Sequence, residues 1–240
     1  EKGGVLIYNE TDSVLKELVE KNNREEIRYI PYSLPVHKIE KGITSVKIGK
    51  GSAELEVFGN HNLLNLQAAY LVCKEIGVDE ATFLKGIASF GGAAKRLELI
   101  SSKDNCNVYR DFAHAPSKVK ASINAVKEQF PERKLIGVLE LHTFSSLNED
   151  FMREYNGAME NADEAIVFYS RHALELKRMK YLEPESVKKG FQKKNLEVIT
   201  EKKILEEKLK SYTFNNTNFL FMSSGNYDGM DILTTLNIKF

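Results

Sequence analysis

The 240 residues carry 34 basic and 34 acidic side chains, so the cationic excess of a general nucleic-acid binder is absent. The length suits one large domain or two ordinary ones, and 42% hydrophobic residues are enough to build proper cores. No apolar run reaches the roughly 20 residues that span a bilayer, no signal-peptide pattern is visible, and two separated cysteines, Cys73 and Cys106, read as reduced and structural. The expectation is a cytoplasmic protein without membrane or nucleic-acid partners. The chain begins at Glu1 without Met and runs at once into a strand-like segment. We read it as an excised piece of a longer protein.

VLIYN at 5–9 is an apolar strand, and a helix follows at about 11–22 with Val14, Leu15, Leu18 and Val19 on one face. IRYIPYS at 27–33 is a second strand, with Pro31 marking an edge or an end. TSVKIG at 44–49 and AELEVF at 53–58 alternate apolar and polar around GKGS and predict a hairpin. Helices are expected at 61–76 and 79–89, separated by Gly77, ahead of FGGAAKRLELI. From about 101 strands alternate with helices: NVYRDFA, SKVKASINAVKEQF, KLIGVLEL, NEDFMREYNGAMENA and EAIVFYS. A charged helix near 184–194, LEVIT, KILEEKLKSY, NFLFMSS and DGMDILTTL complete the chain. Short apolar strands between longer helices predict an α/β, doubly wound, mostly parallel sheet covered on both faces. The boundary is expected near 98–104, with SSKDN as a polar linker.

No phosphate-binding Gly-x-x-x-x-Gly-Lys-Ser/Thr loop and no Gly-x-Ser-x-Gly elbow is present, no two histidines have metal-ligand spacing, and there is no CxxC pair. No catalytic residue and no metal ligand is assigned. Four patches remain. Gly59, His61, Asn62 and Asn65 open a helix, with the two carboxamides nearly one turn apart; they read either as a helix cap or as a holder of something polar and planar. Gly91, Gly92, Lys95 and Arg96 form either an exposed loop or a cationic anion contact. In RDFAHAPSK, a strand ends at Asp111 and a turn with His114 and Pro116 leads to a helix near Ser117. Ligands of parallel sheets gather at such ends, although Asp and Ser also order turns. In LELHTFSSLNED, Glu140 and His142 are candidates to face a cleft.

The order GNHNLLNLQAA, F-x-G-x-x-KRLE, DFAHAPSKVKASI resembles the Mur ligase family across essentially the whole chain. The resemblance implies that 1–99 is the last part of the central ATP-binding domain and 100–240 the C-terminal Rossmann-like domain. It implies ATP and Mg2+ as cofactors, with UDP-N-acetylmuramate and an amino acid or peptide as substrates. A ligation through an acyl phosphate follows, with domain closure assembling the site. It places His61, Asn62 and Asn65 at the adenine, Arg96 at the ATP phosphates, and Asp111 at the ribose with His114 close by. The phosphate loop and the magnesium ligands fall outside this sequence, so the fragment is expected to be inactive alone.

VYRDFAHAP resembles the muropeptide-recycling branch, which attaches the tripeptide L-Ala-γ-D-Glu-meso-diaminopimelate. The L-alanine-adding branch has an HRYTRT-like stretch where this chain has HTFSSL, with Thr143 and Ser146 in place of arginines. His142, Thr143 and Ser146 are therefore expected at the substrate, as is Asn226 in MSSGNYDG. The L-alanine-adding ligase is the second reading. The folylpolyglutamate synthases agree less well in their motifs, and a nucleotide-binding module without chemistry is the non-enzyme reading. A truncated central sheet would expose strand edges and apolar surface, which predicts association or partial disorder in residues 1–95.

Overall fold

A computed structural model describes residues 2–237. It divides into two compact units, 1–91 and 92–240. The break falls at the Gly91-Gly92 pair, where Gly92 has φ 91°.

In the first unit, β1 (Val5–Asn9) and β2 (Arg28–Tyr32) pair in parallel across the crossover helix α1 (Ser13–Lys21). Asp12 caps α1 by accepting from the backbone N–H groups of Val14 and Leu15. A three-stranded antiparallel sheet follows, made of β3 (His37–Glu40), β4 (Ile43–Ile48) and β5 (Gly51–Leu55). The expected hairpin is β4–β5. The sequence reading missed β3, which is joined to β4 by the two-residue turn Lys41-Gly42, with φ of 51° and 78°. Helices α2 (Asn60–Glu75) and α3 (Glu80–Ala88) lie within two residues of expectation. Val46, Ile48, Leu55, Leu63, Leu66 and Phe83 form this unit's core.

The second unit is built on a six-stranded sheet of β6 (Glu98–Lys103), β7 (Cys106–Asp111), β8 (Lys134–Glu140), β9 (Glu164–Phe168), β10 (Glu197–Ile199) and β11 (Thr217–Met222). Their order is β10-β9-β8-β11-β7-β6, parallel except for the β6–β7 pair. β8 is buried on both faces. Ile136 and Val138 pack in one core with Leu205, Leu209 and Phe219. On the other face, a side chain at Gly137 would strike Ile123 of α4 (Pro116–Gln129) and Met159. That burial is why KLIGVLEL reads as a near-continuous apolar run.

Three expectations are corrected. SSKDN is no linker: residues 98–103 are β6, turning into β7 through Asp104, whose φ is 51°. NEDFMREYNGAMENA is not an α-helix but a 3-10 segment, Glu149–Tyr155, followed by turns through Gly157 with φ 71°. Its backbone packs so close to α6 (Pro184–Phe191) that any side chain at Gly190 would collide with Met152. A short helix, α5 (Arg171–Leu176), was not anticipated. After β10 come α7 (Lys202–Lys210), then β11, a 3-10 turn Tyr227–Gly229 and α8 (Ile232–Thr235).

Candidate functional site at the carboxyl edge of the second sheet

β11 inserts between β7 and β8, so the chain winds outward from these three strands in both directions. This is the switch point at which open α/β sheets form ligand crevices. The strands end level: Asp111 and Leu139 both lie beside Met222.

KRLE belongs to this second unit and is tied directly to DFAHAP. It does not stand across a linker from it. The Lys95 carbonyl accepts from Phe112 N–H at 2.8 Å. Glu98 accepts from Lys95 N–H at 2.8 Å and from the Arg110 guanidinium at 2.9 Å. The Lys95 N–H foremost, and then Arg110, hold the Glu98 carboxyl below its ordinary value. Lys95 and Leu97 both have positive φ, 56° and 48°, a strained backbone that presents Arg96 between them. The exposed Arg96 guanidinium lies 5.4 Å from the centroid of the Phe112 ring, which meets the His114 ring edge-on. His114 Nδ1 is 2.8 Å from the Phe112 carbonyl, so in the neutral ring Nδ1 carries the proton and Nε2 is the acceptor.

Asp111 is 6% exposed. Its oxygens accept from Ala113 N–H at 3.1 Å and from the Ser122 hydroxyl at 2.6 Å. The carboxylate therefore orders the strand-to-helix turn, the plainer of its two readings. Glu140 is corrected more sharply. It is 2% exposed and faces not a cleft but the late loop, accepting from the Ser223 hydroxyl and from Tyr227 N–H. A side chain at Gly225 would come within 2.8 Å of Glu140 Oε2 and of the His142 ring. Tyr227 and Asp228 sit at φ 52° and 58°, and the Tyr227 hydroxyl bonds the Val138 and Met222 carbonyls. Burial and the neighbouring Glu140 push that phenol well above its ordinary pKa. Residues Lys95, Arg110, Asp111, Ser223, Gly225 and Asn226 line part of a cavity of about 110 Å³ here.

His142 keeps 37% of its side chain exposed, with Nδ1 3.8 Å from Glu140 Oε1. Asn226 is exposed and accepts from Gly229 N–H. Thr143 and Ser146 are spent on each other: Thr143 N–H and hydroxyl both donate to Ser146 Oγ at 2.9 Å, and Ser146 is 1% exposed. These bonds close the turn, with Thr143 Oγ1 also 3.2 Å from Ser145 Oγ. Phe144, 64% exposed, is what that turn presents.

Sequence reasoning missed Tyr155 and Ser122. The Tyr155 hydroxyl donates to the His114 carbonyl at 2.5 Å, from 41 positions away, and no local pattern announces such a contact.

In the first unit, His61, Asn62 and Asn65 fall in the first two turns of α2. The capping alternative holds for the glycine and not for a carboxamide. Gly59 with φ 89° is the cap residue, and Asn62 donates its amide to the Phe58 carbonyl at 2.9 Å. Asn65 is exposed.

The family profile described as Mur ligase, glutamate ligase domain matches residues 95–225. The UDP-N-acetylmuramate–L-alanine ligase of Paenarthrobacter aurescens is 31% identical over 173 residues, covering 68% of this chain and 38% of that protein. Other curated relatives at 29–34% identity carry the same name. A murein peptide ligase from Psychrobacter arcticus shares the fold at TM-score 0.59 and 18% identity, covering 99% of this chain and 52% of the other. A MurF ligase from Thermotoga maritima in complex with ADP does so at TM-score 0.68 and 17% identity, covering 98% and 53%. This chain thus spans about half the length of these two solved chains. With the profile running from the KRLE turn through the late loop, over more than half of its residues, the chain belongs to the Mur ligase family.

Proposed function

We propose that this chain is the C-terminal part of an ATP-dependent ligase that joins L-Ala-γ-D-Glu-meso-diaminopimelate to UDP-N-acetylmuramate through an acyl phosphate, in cytoplasmic peptidoglycan recycling. The observation that carries the ligase reading is the single cluster in which the KRLE turn, the DFAHAP turn and the late loop meet at the switch point. An exposed guanidinium on an aromatic ring and a histidine with a free acceptor suit the phosphate and ribose end of ATP. Arg96 and His114 would make those contacts, with Asp111 fixing the turn that carries them. His61, Asn62 and Asn65 are the proposed adenine contacts. ATP supplies the activation that makes a carboxylate an acceptor for an amine. Among the described residues no three His, Cys, Asp or Glu side chains are grouped for a metal ion, and no magnesium ligand is assigned to this chain.

The tripeptide, as against L-alanine, is supported by the closed Thr143–Ser146 turn, which offers an aromatic ring and no cation. The names of the curated relatives favour the second reading, addition of L-alanine. Phosphate release by the polypeptide that carries this chain, given UDP-N-acetylmuramate, ATP, magnesium and one amine at a time, separates them. Release with the tripeptide alone is expected. Release with L-alanine alone would replace the tripeptide reading. ATP binding without turnover on either amine would favour a non-catalytic module.

A further inference from the structure

The β8 turn brings no cation of its own to the carboxyl edge, but one reaches it through space. Lys177 lies just past α5, the helix that follows the neighbouring parallel strand β9. Its Nζ is 4.8 Å from the centroid of the Phe144 ring. The end of α5 fixes this placement. Lys177 N–H bonds the Ala173 carbonyl, Met179 N–H returns to the Leu174 carbonyl, and Arg178 takes φ 52° to reverse the chain. Among the described residues Lys177 has no carboxylate within 4.0 Å, and the carboxylate of Glu175 in α5 lies 4.0 Å from His172 Nδ1. The same segment sets Arg171 5.3 Å over the ring of Tyr181, which is 45% exposed. Leu176, at 72% exposed, adds apolar surface between the two cations in sequence.

We propose that Lys177, held over Phe144, binds a carboxylate of the amine-bearing peptide substrate. This rests on the ligase reading above and deepens it by naming the group that recognises the peptide. An ammonium against an aromatic face keeps N–H donors for a carboxylate and is already partly desolvated, which strengthens the charge-assisted bond. The exposed ring offers the peptide's alkyl chain an apolar floor. A free amino acid offers one carboxylate for such a contact, whereas the peptide offers several.

The test uses the 240-residue chain itself. It would be labelled for NMR and titrated with L-Ala-γ-D-Glu-meso-diaminopimelate, in the wild type and in Lys177→Ala and Lys177→Arg. Shifts at the Phe144 ring and around Lys177 are expected. Lys177→Ala should weaken binding by at least about tenfold, as for loss of a hydrogen bond to a charged group, and Lys177→Arg should retain most of it. A tripeptide whose carboxylates are amidated should bind wild type and Lys177→Ala alike. If the tripeptide perturbs residues 142–146 equally in wild type and Lys177→Ala, the assignment falls and the ligase reading stands. If it perturbs neither protein anywhere, the assignment falls too, while the ligase reading is decided separately by the phosphate-release assay.

Discussion

Both units contain a parallel strand–helix–strand block, in two environments. In β7–α4–β8 the strands are buried almost throughout and α4 buries six residues, among them Val119, Ile123 and Val126. In β1–α1–β2 neither strand has a buried residue, nor does α1. Val14, Leu15 and Leu18 stand 63%, 41% and 52% exposed on the face that the sequence pattern marks as apolar. Parallel strands are normally covered on both faces, and a two-stranded sheet is marginal alone. Amphipathic pattern thus predicts which residues want burial, while coverage decides whether they stabilise anything. The apolar exposure expected in residues 1–95 is present at Val5, Leu6, Val14, Leu15 and Leu18.

The largest expected effect lies in the buried block. Ile136→Ala, at a site with no exposure, should cost about 2–5 kcal/mol in denaturant unfolding of the second unit. Leu18→Ser in α1 should stay within about 0.5 kcal/mol, as for an exposed site. Equal losses would break the contrast. It can be sharpened by hydrogen exchange, in which β1 and β2 amides should exchange well before those of β8 and β11.

Next comes Gly225→Ala. Its methyl would fall within 3 Å of Glu140 and His142, so overpacking should cost about 1–3 kcal/mol and displace the late loop. Shifted Ser223 and Tyr227 amide resonances in NMR would register the displacement, and an unmoved loop would show that Glu140 does not hold it. Ser122→Ala should cost a similar or smaller amount, about 1–3 kcal/mol, because it strips a donor from buried Asp111. Its effect should centre on residues 111–115 and leave β1–β2 exchange unchanged.

These sites also mark how far the sequence can be read. Strand and helix alternation in the second unit was legible because β7, β8, β9 and β11 are buried on both faces and carry the pattern. β6 was not, because ELISSK at a sheet edge is mostly polar and resembles a linker. The 3-10 segment at 149–155 was not, because its helical pattern is overridden by the close approach of Gly190. At the site, Arg96, Asp111 and His114 were nameable from local motifs. The partners that decide what they do leave no local trace: Ser122 lies 11 positions from Asp111, Tyr155 lies 41 from His114, and the Ser223–Tyr227 loop is more distant still. Thr143 and Ser146 were nameable from their address, but their bonds to each other were not.

The smallest expected effect is the acid sensitivity of the KRLE turn. The folded-state pKa of Glu98 is lowered, by Lys95 N–H first and Arg110 second, relative to the ordinary value of 4.5. A carboxyl shifted in this direction contributes its stabilisation in full above the unfolded value and loses it as pH falls through the lower folded value. The turn should therefore be intact at neutral pH and loosen only in acid below about 4.5. The Lys95 amide shift, followed by NMR from pH 7 downward, should hold constant until that range and then move. Glu98→Gln should remove the transition while leaving Phe112 N–H on the Lys95 carbonyl, because that bond does not involve the carboxylate. A Lys95 amide that titrates in the same way in Glu98→Gln would place the sensitivity elsewhere and leave the presentation of Arg96 to the positive-φ backbone alone.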